Sequence, residues 1–209
     1  MIRRIVIGLS LLASAAAAQP SPELVASFTA LQTELGEVTS STQQQDQLLQ
    51  EIASNAIAVQ SVAFRIEPDG RAAFARSISY NATLLTEAQR ASPAQATLIL
   101  GEVADDLRIK RASAASMGAS TSFPGRVTVM VTTVRGANAV NGYEITLNPV
   151  LWRGQEPMYR LTSLSPATGT VPPGRYEVSA LKNGAVANRN IYRIGLDADD
   201  VIKIQLPVP

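Results

Sequence analysis

Three acidic residues, Glu102, Asp105 and Asp106, lie close together in a segment with helical spacing. Carboxyl groups can act as general acids or bases, and a glycosidase uses two opposed carboxylates in a sugar-binding cleft. Glu102 and Asp106 are four residues apart and share a helix face, whereas Asp105 and Arg108 form an i,i+3 pair. This spacing is typical of a solvated helix surface, and we predict no catalytic role for the three residues.

The composition excludes several classes of enzyme, because the chain contains no cysteine and no histidine. It therefore has no thiol nucleophile, no Ser-His-Asp arrangement, no histidine acid/base and no ordinary zinc site. A single tryptophan among 5% aromatic residues offers little surface for stacking sugars. We predict a protein that is not an enzyme and uses no cofactor. The alternatives are a carboxylate-dependent hydrolase of envelope glycans and a small-ligand carrier with an apolar pocket between helices.

One further acidic run, Asp197-Ala198-Asp199-Asp200, has oxygen ligands of the type that calcium prefers. A calcium loop normally adds further oxygen ligands and a bidentate acidic residue, and none is found nearby in the sequence. We predict a solvated turn and no metal site.

The candidate partner-binding residues are Trp152, Arg153, Tyr159 and Arg160, which flank an irregular segment. Aromatic residues and arginine are enriched among the residues that dominate binding energy at protein interfaces. The alternative is that Trp152 and Tyr159 cover one end of a hydrophobic core, which is the usual fate of large aromatic side chains.

The first residues have the pattern of a secretory signal peptide. Arg3 and Arg4 form a basic segment, Ile5 to Ala13 are largely apolar, and Ala16 and Ala18 give a small-x-small cleavage site. The apolar stretch is too short to cross about 30 Å of hydrocarbon. We predict a signal peptide at residues 1–18, no transmembrane span, and a periplasmic or secreted mature protein.

Residues 22–62 show apolar side chains at alternating steps of four and three, as in a coiled coil. We favour one long or kinked helix; the alternative is a break near residues 39–41 and a restart with Ser41 as N-cap. The repeat predicts bundle core, or self-association of the chain through residues 24–59. The positions of the repeat are Leu24, Phe28, Leu31, Leu35, Val38, Thr42, Gln45, Leu49, Ile52, Ala56 and Val59.

Further helices follow in the region up to residue 111. Residues 67–70, Glu-Pro-Asp-Gly, predict a turn that reverses the chain. Ser92 and Pro93 predict the start of a last helix, which carries apolar residues from Leu98 to Leu107 and ends in basic residues. We predict a helical domain of three or four antiparallel helices at residues 19–111. Residues 112–125 are small and polar and predict a linker.

From residue 126 onward the hydrophobic period changes to two. Residues 126–134 read RVTVMVTTV, and further short alternating runs follow at 143–147, 158–163, 175–181, 190–196 and 201–206. Asn183-Gly184 is a two-residue hairpin signal. Six or seven short strands in this space predict an antiparallel β-sandwich at residues 126–209.

The segment VPPGRYEV carries a resemblance to a known family. Pro173 and Gly174 predict a turn, and Tyr176 can hydrogen-bond to upstream backbone as in a tyrosine corner. Together with VTVMVTTVRGANAVNGYEI, this segment resembles the carboxypeptidase regulatory-like, or transthyretin-like, sandwich domains of exported bacterial proteins. The resemblance covers about the last 40% of the chain and implies a domain that binds, spaces or stabilises and has no catalytic residues.

The charge distribution is uneven, although the precursor has a net charge of only +1. Residues 19–64 carry five acidic side chains and no lysine or arginine, whereas residues 126–209 carry nine basic and six acidic side chains. Nucleic acid is not predicted as a partner, because neutralising phosphates needs a concentrated basic surface. We predict an α+β chain in two segregated parts. A helical bundle or coiled-coil hairpin serves assembly, and an immunoglobulin- or transthyretin-like sandwich docks an envelope protein.

Overall fold

The computed structural model describes residues 21–118, 123–150, 159–195 and 201–209. Over these residues the chain is helical as far as Ser116 and forms β-strands from Val127 onward. The predicted α+β fold in two parts is therefore confirmed. The chain divides into two compact units, Met1–Gly125 and Arg126–Pro209. The predicted signal peptide lies outside the described residues.

The described part of the first unit contains four α-helices: α1 (Pro22–Glu37), α2 (Gln43–Val62), α3 (Pro68–Arg90) and α4 (Pro93–Ser116). A short 3-10 turn, Ala63–Arg65, follows α2. The side chains of Ser21, Thr42 and Ser92 cap the first turns of α1, α2 and α4 by accepting a hydrogen bond from a backbone N–H. Such caps satisfy donors that a helix leaves unpaired at its N-terminus.

The one long or kinked helix that we favoured for residues 22–62 is wrong, and the alternative, a break near residues 39–41, is confirmed. The backbone leaves the helical conformation at Val38 and a new helix begins after Thr42. Thr42, and not Ser41, is the N-cap: its hydroxyl accepts a hydrogen bond from the Gln45 N–H at 3.2 Å. The run of threonine and serine at 39–42 explains the break, because their hydroxyls compete with the helical hydrogen bonds of the backbone.

The helices pack as two stacked hairpins, in which α1 lies beside α3 and α2 beside α4. Hydrogen bonds join Ser27 to Ser79 and Glu34 to Thr86, and both pairs are 52 residues apart. Gln45 and Thr97 repeat this separation between α2 and α4. A constant separation means that the paired helices run in the same direction. This is the arrangement expected when consecutive helices run antiparallel, as predicted, because every second helix then points the same way.

The heptad face of residues 24–59 is buried inside one chain. Its apolar side chains on α1 and α2 are all below 9% exposed, and they belong to the packing against α3 and α4. Gln45 interrupts the apolar repeat because its side-chain amide donates to the Pro93 carbonyl at 2.8 Å and to the Thr97 hydroxyl at 3.1 Å. The repeat is thus the core of the helical unit and not an exposed seam for a second chain.

The predicted linker at 112–125 is wrong at both of its ends. Helix α4 continues to Ser116, and Phe123 is 1% exposed, with its ring 5.8 Å from that of Phe74 in an edge-to-face contact. The Phe123 amide donates to the Arg65 carbonyl at 2.9 Å, and its carbonyl accepts from the Glu67 amide at 2.8 Å. We call residues 123–125 the docked segment. The composition did not predict this segment, because a single aromatic residue, Phe123, anchors a stretch whose other residues are mostly small and polar.

Gly70 provides the room for this docking. A Cβ atom at Gly70 would lie 1.9 Å from the Pro124 carbonyl oxygen, so no larger residue fits without displacing the docked segment. Gly125 has a φ of +68°, which favours glycine. The predicted turn at 67–70 is wrong in its position, because Glu67 is the N-cap of α3 and Pro68 is its first residue, so the chain reverses between Val62 and Pro68.

The second unit is built from two sheets. The first contains β1 (Val127–Arg135), β2 (Asn138–Ala139), β5 (Ala167–Val171) and β8 (Val201–Pro207). The second contains, in spatial order, β4 (Tyr159–Arg160), β3 (Glu144–Pro149), β6 (Gly174–Lys182) and β7 (Ala185–Ile194). Asn183 and Gly184 form the hairpin turn between β6 and β7 with φ of 53° and 79°, as a type I′ turn requires.

Side chains from the two sheets meet in one hydrophobic core, which makes the unit a β-sandwich. All described pairings are antiparallel except that of β8, which lies parallel to β1. The strand β5 was not predicted, because its inward positions are small. A Cβ atom at Gly169 would lie 2.5 Å from a methyl carbon of Leu161, so this glycine leaves space for the leucine.

Candidate partner-binding face

Four arginines lie on the outer face of the second sheet, and we call this surface the arginine face. Tyr176 and Val178 of β6 are buried, so Arg175 and Glu177 between them point outward. On β7 the register places Arg193 opposite Arg175 and Arg189 opposite Ser179. Arg160 on β4 pairs with Thr146, which lies opposite Ser179 on β6. The arginine face is Arg160, Arg175, Arg189 and Arg193.

Two carboxylates on this face lie near two of its arginines. Glu144 lies 3.9 Å from Arg160 and Glu177 lies 3.7 Å from Arg189, and both arginine side chains are more than 60% exposed. Exposed ion pairs of this length contribute little to stability. Arg175 and Arg193 are direct cross-strand neighbours.

Two exposed aliphatic residues accompany the charges. Ile191 is 47% exposed and lies opposite Glu177, and Val186 is 57% exposed and lies opposite Leu181. Both are on β7, the strand that carries Arg189 and Arg193. A surface that combines guanidinium groups with aliphatic side chains is similar in composition to protein interfaces, in which arginine is enriched and lysine is depleted.

Side chains occupy part of the edge of β7. The amide oxygens of Asn188 and Asn190 accept from the following backbone N–H groups, those of Arg189 and Ile191, at 2.8 Å. The Asn188 side chain also donates to the Pro207 carbonyl of β8 at 2.7 Å. Because side chains occupy these edge groups, the strand offers its side-chain face for binding more readily than its backbone.

The predicted binding residues are divided by the structure. Arg160 is on the arginine face, but Tyr159 lies opposite the buried Leu147 and packs against the core, with its ring 6.0 Å from that of Tyr176. Trp152 and Arg153 lie outside the described residues. The sequence prediction missed Arg175, Arg189 and Arg193. Arg175 and Arg193 stand next to the inward-facing Tyr176 and Tyr192, which is the signal that would have placed them on the outer face, whereas Arg189 stands between two asparagines and has no such signal.

Tyr176 links the turn before β6 to the core. Its side chain is 2% exposed, and its hydroxyl donates to the Pro172 carbonyl at 2.7 Å. Pro173 and Gly174 connect this acceptor to the strand, and Pro173 is buried. The hydrogen bond therefore fixes the start of the strand that carries Arg175.

A polar cluster is buried between α3 and α4 in the helical unit. Lys110 is 1% exposed, and its ammonium group lies 2.5 Å from Asp106, which also accepts from the Asn81 amide at 2.8 Å. Burial lowers the pKa of Lys110, and the adjacent Asp106 carboxylate acts in the opposite direction. Within the described residues the Asn81 side-chain oxygen accepts no hydrogen bond.

The solvated surface predicted for Asp105 and Asp106 is wrong. Asp105 is 6% exposed and Asp106 is 8% exposed, because each faces a neighbouring helix. Asp105 lies 3.0 Å from Arg108, as predicted, and Arg108 also lies 2.5 Å from Glu51 of α2. Asp105 therefore contributes, through Arg108, to the contact with α2, and Asp106 contributes to the contact with α3. They do not form a pair directed at one point.

The predicted turn at Asp197–Asp200 lies outside the described residues. Across residues 21–118, 123–150, 159–195 and 201–209, no group of three or more acidic residues is placed to hold a metal ion. In the same residues, no helix is both long enough and apolar enough to cross a membrane. No protein-family model matches the chain, and a search of curated proteins finds no match.

Proposed function

We propose that the chain is an exported, non-enzymatic binding protein of the cell envelope, in which the helical unit serves assembly and the β-sandwich docks a partner. The observation that carries this proposal is the arginine face. Its four guanidinium groups and two exposed aliphatic side chains share one sheet surface. Guanidinium groups bind carboxylates through paired hydrogen bonds. The partner is therefore a protein surface that presents carboxylates.

Two features of the sequence support the rest of the proposal. The basic, apolar and small-residue segments at 1–18 support export to the periplasm or the medium. The turn at Pro173-Gly174 and the hydrogen bond of Tyr176 support a carboxypeptidase regulatory-like domain in the second unit. Members of that family bind, space or stabilise, which agrees with a docking role.

Site-specific photo-crosslinking in the native cell envelope tests the docking role. A photoreactive residue at position 191, on the arginine face, is expected to give a defined adduct. The same residue at position 203, which is exposed on β8 of the other sheet, serves as the matched control. The adduct should disappear in the R189Q/R193Q variant. Identical adducts from both positions, or none from position 191, would contradict the proposal.

Export is tested separately. Cell fractionation should place the protein in the periplasm or the medium, and sequencing of its N-terminus should begin at Gln19. A protein that keeps Met1 and stays in the cytoplasm would show that the location is wrong.

A further inference from the structure

The sequence contains two Asn-Gly pairs, Asn141-Gly142 and Asn183-Gly184, and both lie in the sandwich. An asparagine before glycine is prone to deamidation, because the glycine has no Cβ atom to hinder attack of its nitrogen on the asparagine side chain. Every other asparagine of the chain precedes a residue that has a Cβ atom. These two pairs are therefore the positions at which the fold can allow or prevent the reaction.

The first pair is exposed and lies between two anchored neighbours. The amide of Val140 and the carbonyl of Tyr143 each form a backbone hydrogen bond of 2.8 Å. Among the residues that the structure describes, none is hydrogen-bonded to the backbone of Asn141 or Gly142. A Cβ atom built at Gly142 would have nothing within 4 Å. The Gly142 nitrogen is therefore accessible to hydroxide, and no hydrogen bond holds it away from the Asn141 side chain.

The second pair is held in the turn between β6 and β7. Asn183 and Gly184 have φ of 53° and 79°, and Lys182 is paired with Ala185 directly across this turn. A ring between the Asn183 side chain and the Gly184 nitrogen can close only if the peptide unit between them rotates, which opens the pairing of Lys182 with Ala185. The same dipeptide is thus restrained at one position and unrestrained at the other.

We propose that Asn141 is a site of spontaneous deamidation whose products the folded sandwich tolerates. Hydroxide removes the proton from the Gly142 nitrogen, which attacks Cγ of Asn141. The new C–N bond closes a succinimide ring, and the side-chain nitrogen leaves as ammonia. Water then opens the ring at either carbonyl carbon, which gives aspartate or, with the chain continuing through Cγ, isoaspartate. One water is consumed for each ammonia released, and no atom changes its oxidation state.

The reaction changes the charge of the sandwich but removes no contact from its core. Both products carry a carboxylate in place of a neutral amide, and isoaspartate also adds a methylene group to the backbone between Val140 and Tyr143. Asn141 and Gly142 are exposed, so the buried side chains keep their places. The protein should therefore accumulate more acidic forms as it ages while it stays folded. This inference is independent of the proposed docking function.

Ageing the purified protein at mildly alkaline pH, in water labelled with heavy oxygen, tests the proposal. Trypsin cuts after Arg135 and Lys182 and so places the two asparagines in different peptides, in which mass spectrometry measures the label that enters when a ring opens. In the folded protein Asn141 is expected to convert about tenfold faster than Asn183, a ratio that corresponds to about 1.4 kcal/mol for opening the turn. In concentrated urea, where the turn is lost, the two sites should convert at similar rates.

Asn141→Gln is the matched variant, because its longer side chain keeps the amide but disfavours ring closure. It should lose the label at position 141 and retain the slow labelling of Asn183. Asn141→Asp carries one product from the start and should unfold at the same urea concentration as the unaltered protein. Equal rates at the two sites in the folded protein, or a tenfold ratio that persists in urea, would overturn the proposal. An earlier unfolding of Asn141→Asp would overturn the tolerance that it includes.

Discussion

At the scale of single residues, Lys110 has the least usual environment, because its side chain is buried whereas lysine side chains are normally exposed. Lysine is almost never fully buried unless it is paired, and here the partner is Asp106 one helical turn away. Breaking a buried pair costs more than the pair contributes, because the remaining charge stays in a poorly solvated site. The cluster therefore holds α3 and α4 in one register and is sensitive to any single substitution.

Lys110→Met is expected to lower the free energy of unfolding by about 3–5 kcal/mol, since it leaves the Asp106 carboxylate buried without its cation. The double variant D106L/K110M should recover most of this loss. Arg108→Met is the matched control, because Arg108 is 53% exposed and its pairs should contribute about 1 kcal/mol or less. Urea unfolding measures all three. A loss for Lys110→Met no larger than that for Arg108→Met would contradict this account.

The lowered pKa of Lys110 also predicts a dependence on pH. Between its folded-state pKa and its ordinary value of 10.5, the unfolded chain binds a proton that the folded chain does not. The free energy of unfolding therefore rises with pH in this window. Tyr80, whose pKa is raised by burial, acts in the opposite direction above pH 10 in both proteins. The difference between the unaltered protein and Lys110→Met should consequently increase with pH, as urea titrations from pH 8 upward would measure.

Tyr176→Phe tests the hydrogen bond at the start of β6. The substitution keeps the buried ring and removes the donor to Pro172, so we expect a loss of about 1 kcal/mol in the stability of the sandwich. Tyr192→Phe is the control, because its hydroxyl is exposed and bonds to the Gln205 carbonyl at 3.2 Å. Equal effects of the two substitutions in chemical denaturation would argue against a structural role for the Tyr176 bond.

At the scale of elements, the docked segment depends on one glycine. Gly70→Ala places a methyl group against the Pro124 carbonyl and should displace residues 123–125, with a loss of about 1–3 kcal/mol. Hydrogen exchange at the Phe123 and Glu67 amides, which bond across this contact, should become faster. Gly101→Ala is the matched control, because a Cβ atom there meets nothing within 4 Å. Unchanged protection of Phe123 in Gly70→Ala would refute the argument.

The elements that the sequence predicted well are those in which local chemistry and burial agree. Ser92 and Pro93 begin α4 as predicted, and the alternation of residues 127–131 gives β1 with its valines buried. The predictions that failed did so because packing between elements, and not the local sequence, decides the burial of these residues. Leu98 has the spacing of a core residue but is 72% exposed. Asp106 and Lys110 have the sequence pattern of surface charges. They are buried because α3 packs against this part of α4.

The candidate site was also predicted only in part. The sequence indicated that arginine near the β region could bind a partner, and Arg160 lies on the face described above. The other members of the arginine face lie on the hairpin of β6 and β7. The amino-acid composition does not predict the register of that hairpin. Their shared surface depends on Asn183 and Gly184 forming a two-residue turn, since a slip of one residue would move every β7 side chain to the opposite face.

At the scale of the whole molecule, the division at Gly125 and Arg126 separates two cores of different construction. The helical unit is held by the buried faces of stacked hairpins and by one buried ion pair. The described core of the sandwich is formed mainly by side chains of the β-strands. Each core has its own set of stabilising contacts, so each unit should behave as a separate folding unit.

Calorimetry of three proteins tests this separation. The unaltered chain is expected to show two unfolding transitions, because it divides into two compact units. Lys110→Met should lower the midpoint of one transition and Tyr176→Phe that of the other. A loss of about 1 kcal/mol in a unit the size of the sandwich should shift its midpoint by about 4–8 °C. A single transition that both substitutions shift would mean that the units unfold together. In that case each unit could not fold independently, and the arginine face would depend on the helices for its stability.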